Sequence, residues 1–134
     1  MTQIIETPLR RIPLDTGDVL HGLKVSESSY SGFGEVYFSS IHPGVFKGWK
    51  RHNLMTMNLI VVSGLVRFIF YDNTNLRSDY IIGDSNYSRL TIPPGFWFGF
   101  QGIASSTSIL CNLSNIEHDP NEVERLPPSQ FSYS

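Results

Sequence analysis

Apolar and polar residues alternate along this chain in short runs that break at Gly, Pro, Asn, Asp or Ser. About nine such runs can be read: "VLHGLKV", "EVYFSSI", "VFKGWKRH", "MNLIVV", "LVRFIFY", "SDYII", "RLTIP", "FWFGFQ" and "TSILCNL". A period of two marks a strand with one face buried, and no apolar period of 3.6 persists beyond about two helical turns. Many short strands with regular turn signals predict an all-β sandwich or barrel. "NLIVV" and "LVRFIFY", separated by Ser63 and Gly64, predict a hairpin with a two-residue turn. "VLHGLKV" has no evident partner and reads as an edge strand. Strand signal fades after Asn112, and from about residue 115 "NIEHDPNEVERLPPSQFSYS" predicts a polar, Pro-rich tail or short helix packed on the barrel.

At 134 residues the chain suits one domain, 1–134, with one core. Hydrophobic residues make up 40% and charged residues 16%, which fits a compact globular protein and argues against disorder. The formal charge of −2 offers no basic field for nucleic acid. No apolar run approaches a membrane span, and "MTQIIETPLRRIP" lacks the apolar stretch of a secretory signal, so a cytoplasmic protein is expected. Cys111, the sole cysteine, lies in apolar "SILCNL" and is expected to be an inert buried thiol.

Against this near-neutral background, residues 44–64 read "GVFKGWKRHNLMTMNLIVVSG". Lys47, Lys50, Arg51 and His52 crowd one strand in a chain with ten Lys and Arg in all. Lys50 and His52 are two apart and share a face; Lys47 reaches that face only if Gly48 permits a bulge. The spacing Gly44, Lys50, His52, Met57, Gly64 resembles the first cupin motif, and Pro93, Gly95, Phe98 in "IPPGFWFGF" resembles the second. Of the four cupin metal-ligand positions only His52 holds a good donor, since a protonated lysine binds no metal. The expectation is a cupin-type double-sheet jelly roll with no metal and no cofactor.

From about Glu35 to Asn112 the chain resembles the dTDP-4-dehydrorhamnose 3,5-epimerases and the related dTDP-sugar 3,4-ketoisomerases. The resemblance rests on "GVFKGWK", the β-rich run after it, "IPPGFWFGF" and, beyond the last strand, "EHDPNE" from Glu117 to Glu122. It implies that Lys47 stands where the family has a phosphate-contacting Arg. Lys50 stands at the catalytic His, Met57 at a Lys, and Phe98 at a phosphate-contacting His. The epimerases' acid tyrosine has no counterpart here, since Ser106 and Cys111 occupy its neighbourhood. Tyr71, Tyr80 and Tyr87 are therefore weighed as proton donors.

The implied function is epimerisation or isomerisation of a nucleotide-linked 4-keto sugar for surface polysaccharide, by proton abstraction beside the carbonyl. A non-catalytic cupin that binds a carbohydrate or nucleotide sugar is the alternative. Lys50 and His52 are the candidate base and enolate stabiliser. Lys47 and Arg51 would meet the diphosphate, Asn58 a sugar hydroxyl, and Trp97 the sugar or base. A homodimer is expected, because unpaired edge strands are a liability.

Overall fold

The computed structural model describes residues 2–134. Twelve strands follow in order: β1 (Ile5–Pro8), β2 (Arg11–Ile12), β3 (Val19–Leu20), β4 (Glu35–Ile41), β5 (Phe46–His52), β6 (Met57–Ser63), β7 (Leu65–Tyr71), β8 (Arg77–Gly83), β9 (Ser88–Ile92), β10 (Trp97–Gly102), β11 (Ser108–Ser114) and β12 (Val123–Arg125). One 3-10 turn, Pro128–Gln130, closes the chain. Two five-stranded antiparallel sheets face each other, ordered β1-β9-β6-β11-β4 and β12-β5-β10-β7-β8, and β2 pairs with β3 separately. This is the cupin-type jelly roll. Alternate residues of both sheets meet in one core built on Leu59, Val61, Val66, Phe68, Phe70, Ile82, Leu90, Ile92 and Leu110.

Three sequence expectations change. β6 and β7 do not form a hairpin: they lie in different sheets, and the chain crosses between them at Gly64. Gly64 has φ +93°, and a β-carbon there would run into Ser108 of β11, so only glycine turns this corner. An apolar run ending in a polar residue and glycine precedes either a hairpin or an inter-sheet corner. "VLHGLKV" is strand only over Val19–Leu20, and it has a partner in Arg11–Ile12 of the same chain. The polar tail carries a strand, β12, which extends the second sheet along β5.

Parts of both outer faces are covered by segments near the chain termini. Beyond β3, residues 21–34 lie over the first sheet, where Arg89 is fully buried. Its guanidinium donates to Asn58 Oδ1 (3.1 Å), the Gly22 carbonyl (2.5 Å), Glu27 Oε2 (2.6 Å) and Ser29 Oγ (2.7 Å). On the second sheet the C-terminal segment covers Trp49, Tyr71, Phe46 and Trp97 with Phe131 and Tyr133. Phe46 stacks on Tyr133 with centroids 3.8 Å apart. The Trp49 indole donates to the Pro128 carbonyl and the Tyr71 hydroxyl to the Ser132 carbonyl.

This strap holds β12, so shaving it should be felt at both sheet and pocket. Phe131→Ala is expected to cost about 2 kcal/mol, below the full core value because the ring is half-buried. Chemical denaturation measures this, and a loss under about 0.5 kcal/mol would show that the strap is not a stabilising element.

Candidate active site

The site begins with an irregularity in β5. Against β10, Lys50 pairs with Phe98 but Gly48 pairs with Gly99, leaving Trp49 as an extra residue. The bulge resets the alternation. Trp49 turns out under the C-terminal strap, while Lys47 and Lys50 both turn in between the sheets. Two glycines allow it, because a β-carbon at Gly48 or Gly99 would collide with the Phe46 ring.

Between the sheets lies a pocket of 330 Å³. Its floor is apolar, made by Met57, Leu59, Phe68 and Leu110, with Phe98 and Phe100 beside them. The second sheet contributes three cations, Lys47, Lys50 and Arg125, and among the described residues no carboxylate lines the space. Tyr37, Ser39 and Asn112 form the polar part of the opposite wall. Lys47 Nζ spans the gap, donating to the Ser40 carbonyl at 2.6 Å.

Arg125 is registered directly opposite Lys50. Burial, and then the charge of Arg125, push the Lys50 ammonium below the usual lysine range, with Glu122 opposing them. The neutral amine is thus made accessible. Across the pocket, the Asn112 side-chain amide donates to the Tyr37 hydroxyl oxygen at 2.7 Å. Burial raises the Tyr37 phenol, the Asn112 bond counteracts, and Glu35 and Glu122 add to the rise. Asn112 Oδ1 is buried without a hydrogen-bond partner among the described residues.

Of the six residues expected from sequence to catalyse or bind substrate, Lys47 and Lys50 reach this pocket and four do not. His52 is buried, with Nδ1 2.6 Å from Glu122 Oε2. Glu122 Oε1 accepts from the amides of Leu54 (3.2 Å) and Met55 (2.8 Å), so the pair ties the loop after β5 to the segment before β12. Arg51 alternates outward, paired with Glu124 and lying over the Trp97 ring at 4.8 Å. Trp97 belongs to the aromatic cluster under the strap. Asn58 faces the outer surface of the first sheet, bonded to Arg89 and Thr91. Tyr71, Tyr80 and Tyr87 also lie outside; their partners are the strap, Phe70 and the His21 carbonyl. Among the described residues no three His, Cys, Asp or Glu side chains converge as a metal-binding group.

Sequence reasoning missed Tyr37, Asn112, Arg125 and Glu122. Tyr37 and Ser39 carried a signal, since they alternate with exposed Val36 and Phe38 on β4 and so face inward. Arg125 carried none, because β12 is three residues in a Pro-rich tail.

The His52–Glu122 pair makes a pH prediction. Burial lowers His52 despite the support of Glu122. Burial alone would raise Glu122, but the His52 bond and the Met55 and Leu54 amides outweigh it and hold the carboxyl below its usual range. Both groups therefore bind protons more readily unfolded. Stability is full above the ordinary His pKa of 6.5 and falls as pH drops toward the folded values, with Glu122 adding its share below its ordinary 4.5. Thermal midpoints should decline below about pH 6.5, and His52→Gln should flatten the upper part of that slope. An unchanged slope would remove His52 as its source.

Fold and pocket together define a class: a jelly roll whose inter-sheet cavity joins an apolar floor to a cluster of cations. No family model matches the chain. It is similar to the dTDP sugar isomerase of Desulfovibrio desulfuricans G20, with 35% identity, 95% of this chain and 85% of that one covered, and a TM-score of 0.91. The chain belongs to the family of dTDP-sugar isomerases and epimerases. A curated relative from Haloferax volcanii, described as "Probable low-salt glycan biosynthesis epimerase", is 32% identical over 101 residues, or 68% of this chain and 64% of that protein's length. The dTDP-4-dehydrorhamnose 3,5-epimerase of Sulfolobus tokodaii shares the fold at 20% identity and a TM-score of 0.84, over 97% of this chain and 80% of that one.

Proposed function

We propose that the chain is an epimerase or isomerase of a nucleotide-linked 4-keto sugar, in the supply of sugars for surface polysaccharide. The observation that carries this reading is the pairing of three cations, one with a depressed ammonium pKa, with an apolar floor in a single pocket. Lys47 and Arg125 supply positive charge for the diphosphate. The sugar ring lies along Met57, Leu59 and Leu110 with its carbonyl toward Lys50. The carbonyl acidifies the adjacent C–H, the neutral Lys50 amine removes that proton, and the surrounding positive charge stabilises the enolate. The non-catalytic reading draws its support from Lys50 and Phe98 standing where the resembled family has histidines.

Solvent deuterium incorporation into a dTDP-linked 4-keto-6-deoxyhexose, followed by proton NMR, separates the two. Exchange supports catalysis. Calorimetric binding of dTDP without exchange favours a binding protein, and the absence of both exchange and dTDP binding would end the nucleotide-sugar reading.

The working form is proposed to be a homodimer in the cytoplasm, where nucleotide-sugar substrates are available. The support is β4, an unpaired edge strand whose outer face shows Val36 and Phe38, with Phe38 65% exposed and Ile109 of β11 beside them. Light scattering should give twice the chain mass at micromolar concentration, and Phe38→Asp should shift it toward monomer by at least tenfold in Kd, roughly the 1.4 kcal/mol that one factor of ten represents. A monomeric wild type would end this part of the proposal.

A further inference from the structure

We infer that Tyr37 is the acid of a single-carbon epimerisation, giving a proton to the carbon that Lys50 deprotonates, from the opposite wall of the pocket. The inference rests on reading the pocket as a 4-keto sugar site. Lys50 projects from β5 of one sheet and Tyr37 from β4 of the other, and both line the same cavity. The walls are close at this edge, since Lys47 on β5 hydrogen-bonds to Ser40 on β4 at 2.6 Å. A flat sugar ring between the sheets has Lys50 toward one face and Tyr37 toward the other.

The hydrogen bonding of Tyr37 leaves its proton available. Its oxygen accepts from Asn112 Nδ2 at 2.7 Å, and the hydroxyl has no other protein partner among the described residues. The O–H hydrogen is therefore free to point at a ligand. Asn112 is 1% exposed, with its amide fixed in the wall and its oxygen unpartnered, so it is a positioning residue for the phenol. The raised phenol pKa keeps Tyr37 protonated under the conditions in which Lys50 gives up its proton most readily.

The placement selects a reaction. A keto shift between neighbouring carbons can move the proton along one face of the ring, and one group beside that face suffices. Inversion needs removal on one face and return on the other. Here the neutral Lys50 amine takes the proton from the carbon next to the carbonyl. The C–H pair becomes the enolate double bond, and the carbonyl π pair moves onto oxygen. The Tyr37 proton then adds to the opposite face of the same carbon as the carbonyl re-forms. Lys50 is left as ammonium and Tyr37 as phenolate, and a proton passed between them through water restores both. One acid and one base serve one carbon.

The test uses the full chain and dTDP-4-keto-6-deoxyglucose in D2O, with configuration and deuterium followed by NMR. Wild type should invert one carbon and place one deuterium there. Tyr37→Phe should invert at least about 100-fold more slowly, the range a general acid supplies. It should still exchange deuterium without inversion, because Lys50 returns the proton to the face it came from. Its thermal midpoint and calorimetric dTDP affinity should match wild type. In a chain that keeps Tyr37, Asn112→Leu should move the alkaline limb of the kcat/KM profile to higher pH, because the lost amide donor stabilises the phenolate; a merely structural role would leave that limb in place. Inversion at the wild-type rate by Tyr37→Phe, or a keto-shifted or doubly deuterated wild-type product, would overturn the assignment and leave the sugar-binding reading intact. A wild type that neither exchanges nor binds dTDP would overturn both.

Discussion

Lys50→Met should abolish turnover, lowering kcat by about 1000-fold or more, within the span that a positioned general base contributes. Methionine keeps the length and apolar contacts of the stem in a half-buried position and removes only the amine. Binding of dTDP should weaken modestly, because Lys47 and Arg125 still face the pocket. The pH profile carries a second signature. Lys50 must lose its proton to act, so activity rises with pH through its pKa. Burial and Arg125 place that pKa below the ordinary lysine value of 10.5. A bound diphosphate acts in the other direction. The acid limb of kcat, which reports the complex, should therefore lie at higher pH than that of kcat/KM, which reports the free protein. Lys47→Ala should chiefly raise the Kd, by about tenfold, equivalent to roughly 1.4 kcal/mol. Deuterium exchange by Lys50→Met at the wild-type rate would show that the base is another group.

Arg89→Met should cost about 3 kcal/mol of stability with dTDP affinity unchanged. Arg89 is fully buried on the face of the first sheet opposite the pocket, and it anchors residues 21–34 through Gly22, Glu27 and Ser29 while orienting Asn58. Removing it strands the Gly22 carbonyl and leaves Ser29 and Asn58 each a bond short, and a buried polar group without its partner costs about 1–3 kcal/mol. Glu27 adds less, being partly exposed and able to rehydrate. Arg89→Lys should recover only part of the loss, since an ammonium cannot reproduce the fork that reaches four partners. Urea midpoints give the values. A cost under about 1 kcal/mol, with residues 21–34 still protected from proteolysis, would mean that the apolar contacts of the segment hold it in place.

The alternating runs were enough to locate eight of the longer strands within a residue or two, because a strand half-buried in a sandwich imprints its period of two. Lys47, Lys50 and the intervening Gly48 were equally legible, since they lie within four residues of the chain, although the bulge also needs Gly99 of β10. Local chemistry could not say which strands pair. β6 and β7 adjoin in sequence yet belong to opposite sheets, because the corner at Gly64 is set by Ser108, 44 residues further on. Nor could it place Asn58 and Trp97, which lie on outer faces that only look pocket-like until the termini fold over them. Tyr37 and Lys50 lining one cavity, and Arg125 lying beside Lys50, are products of sheet closure: the proposed proton donor, the proposed base and the like charge beside it come from β4, β5 and β12, and residues distant in sequence acquire a joint chemistry only when long-range pairing brings them across one cavity.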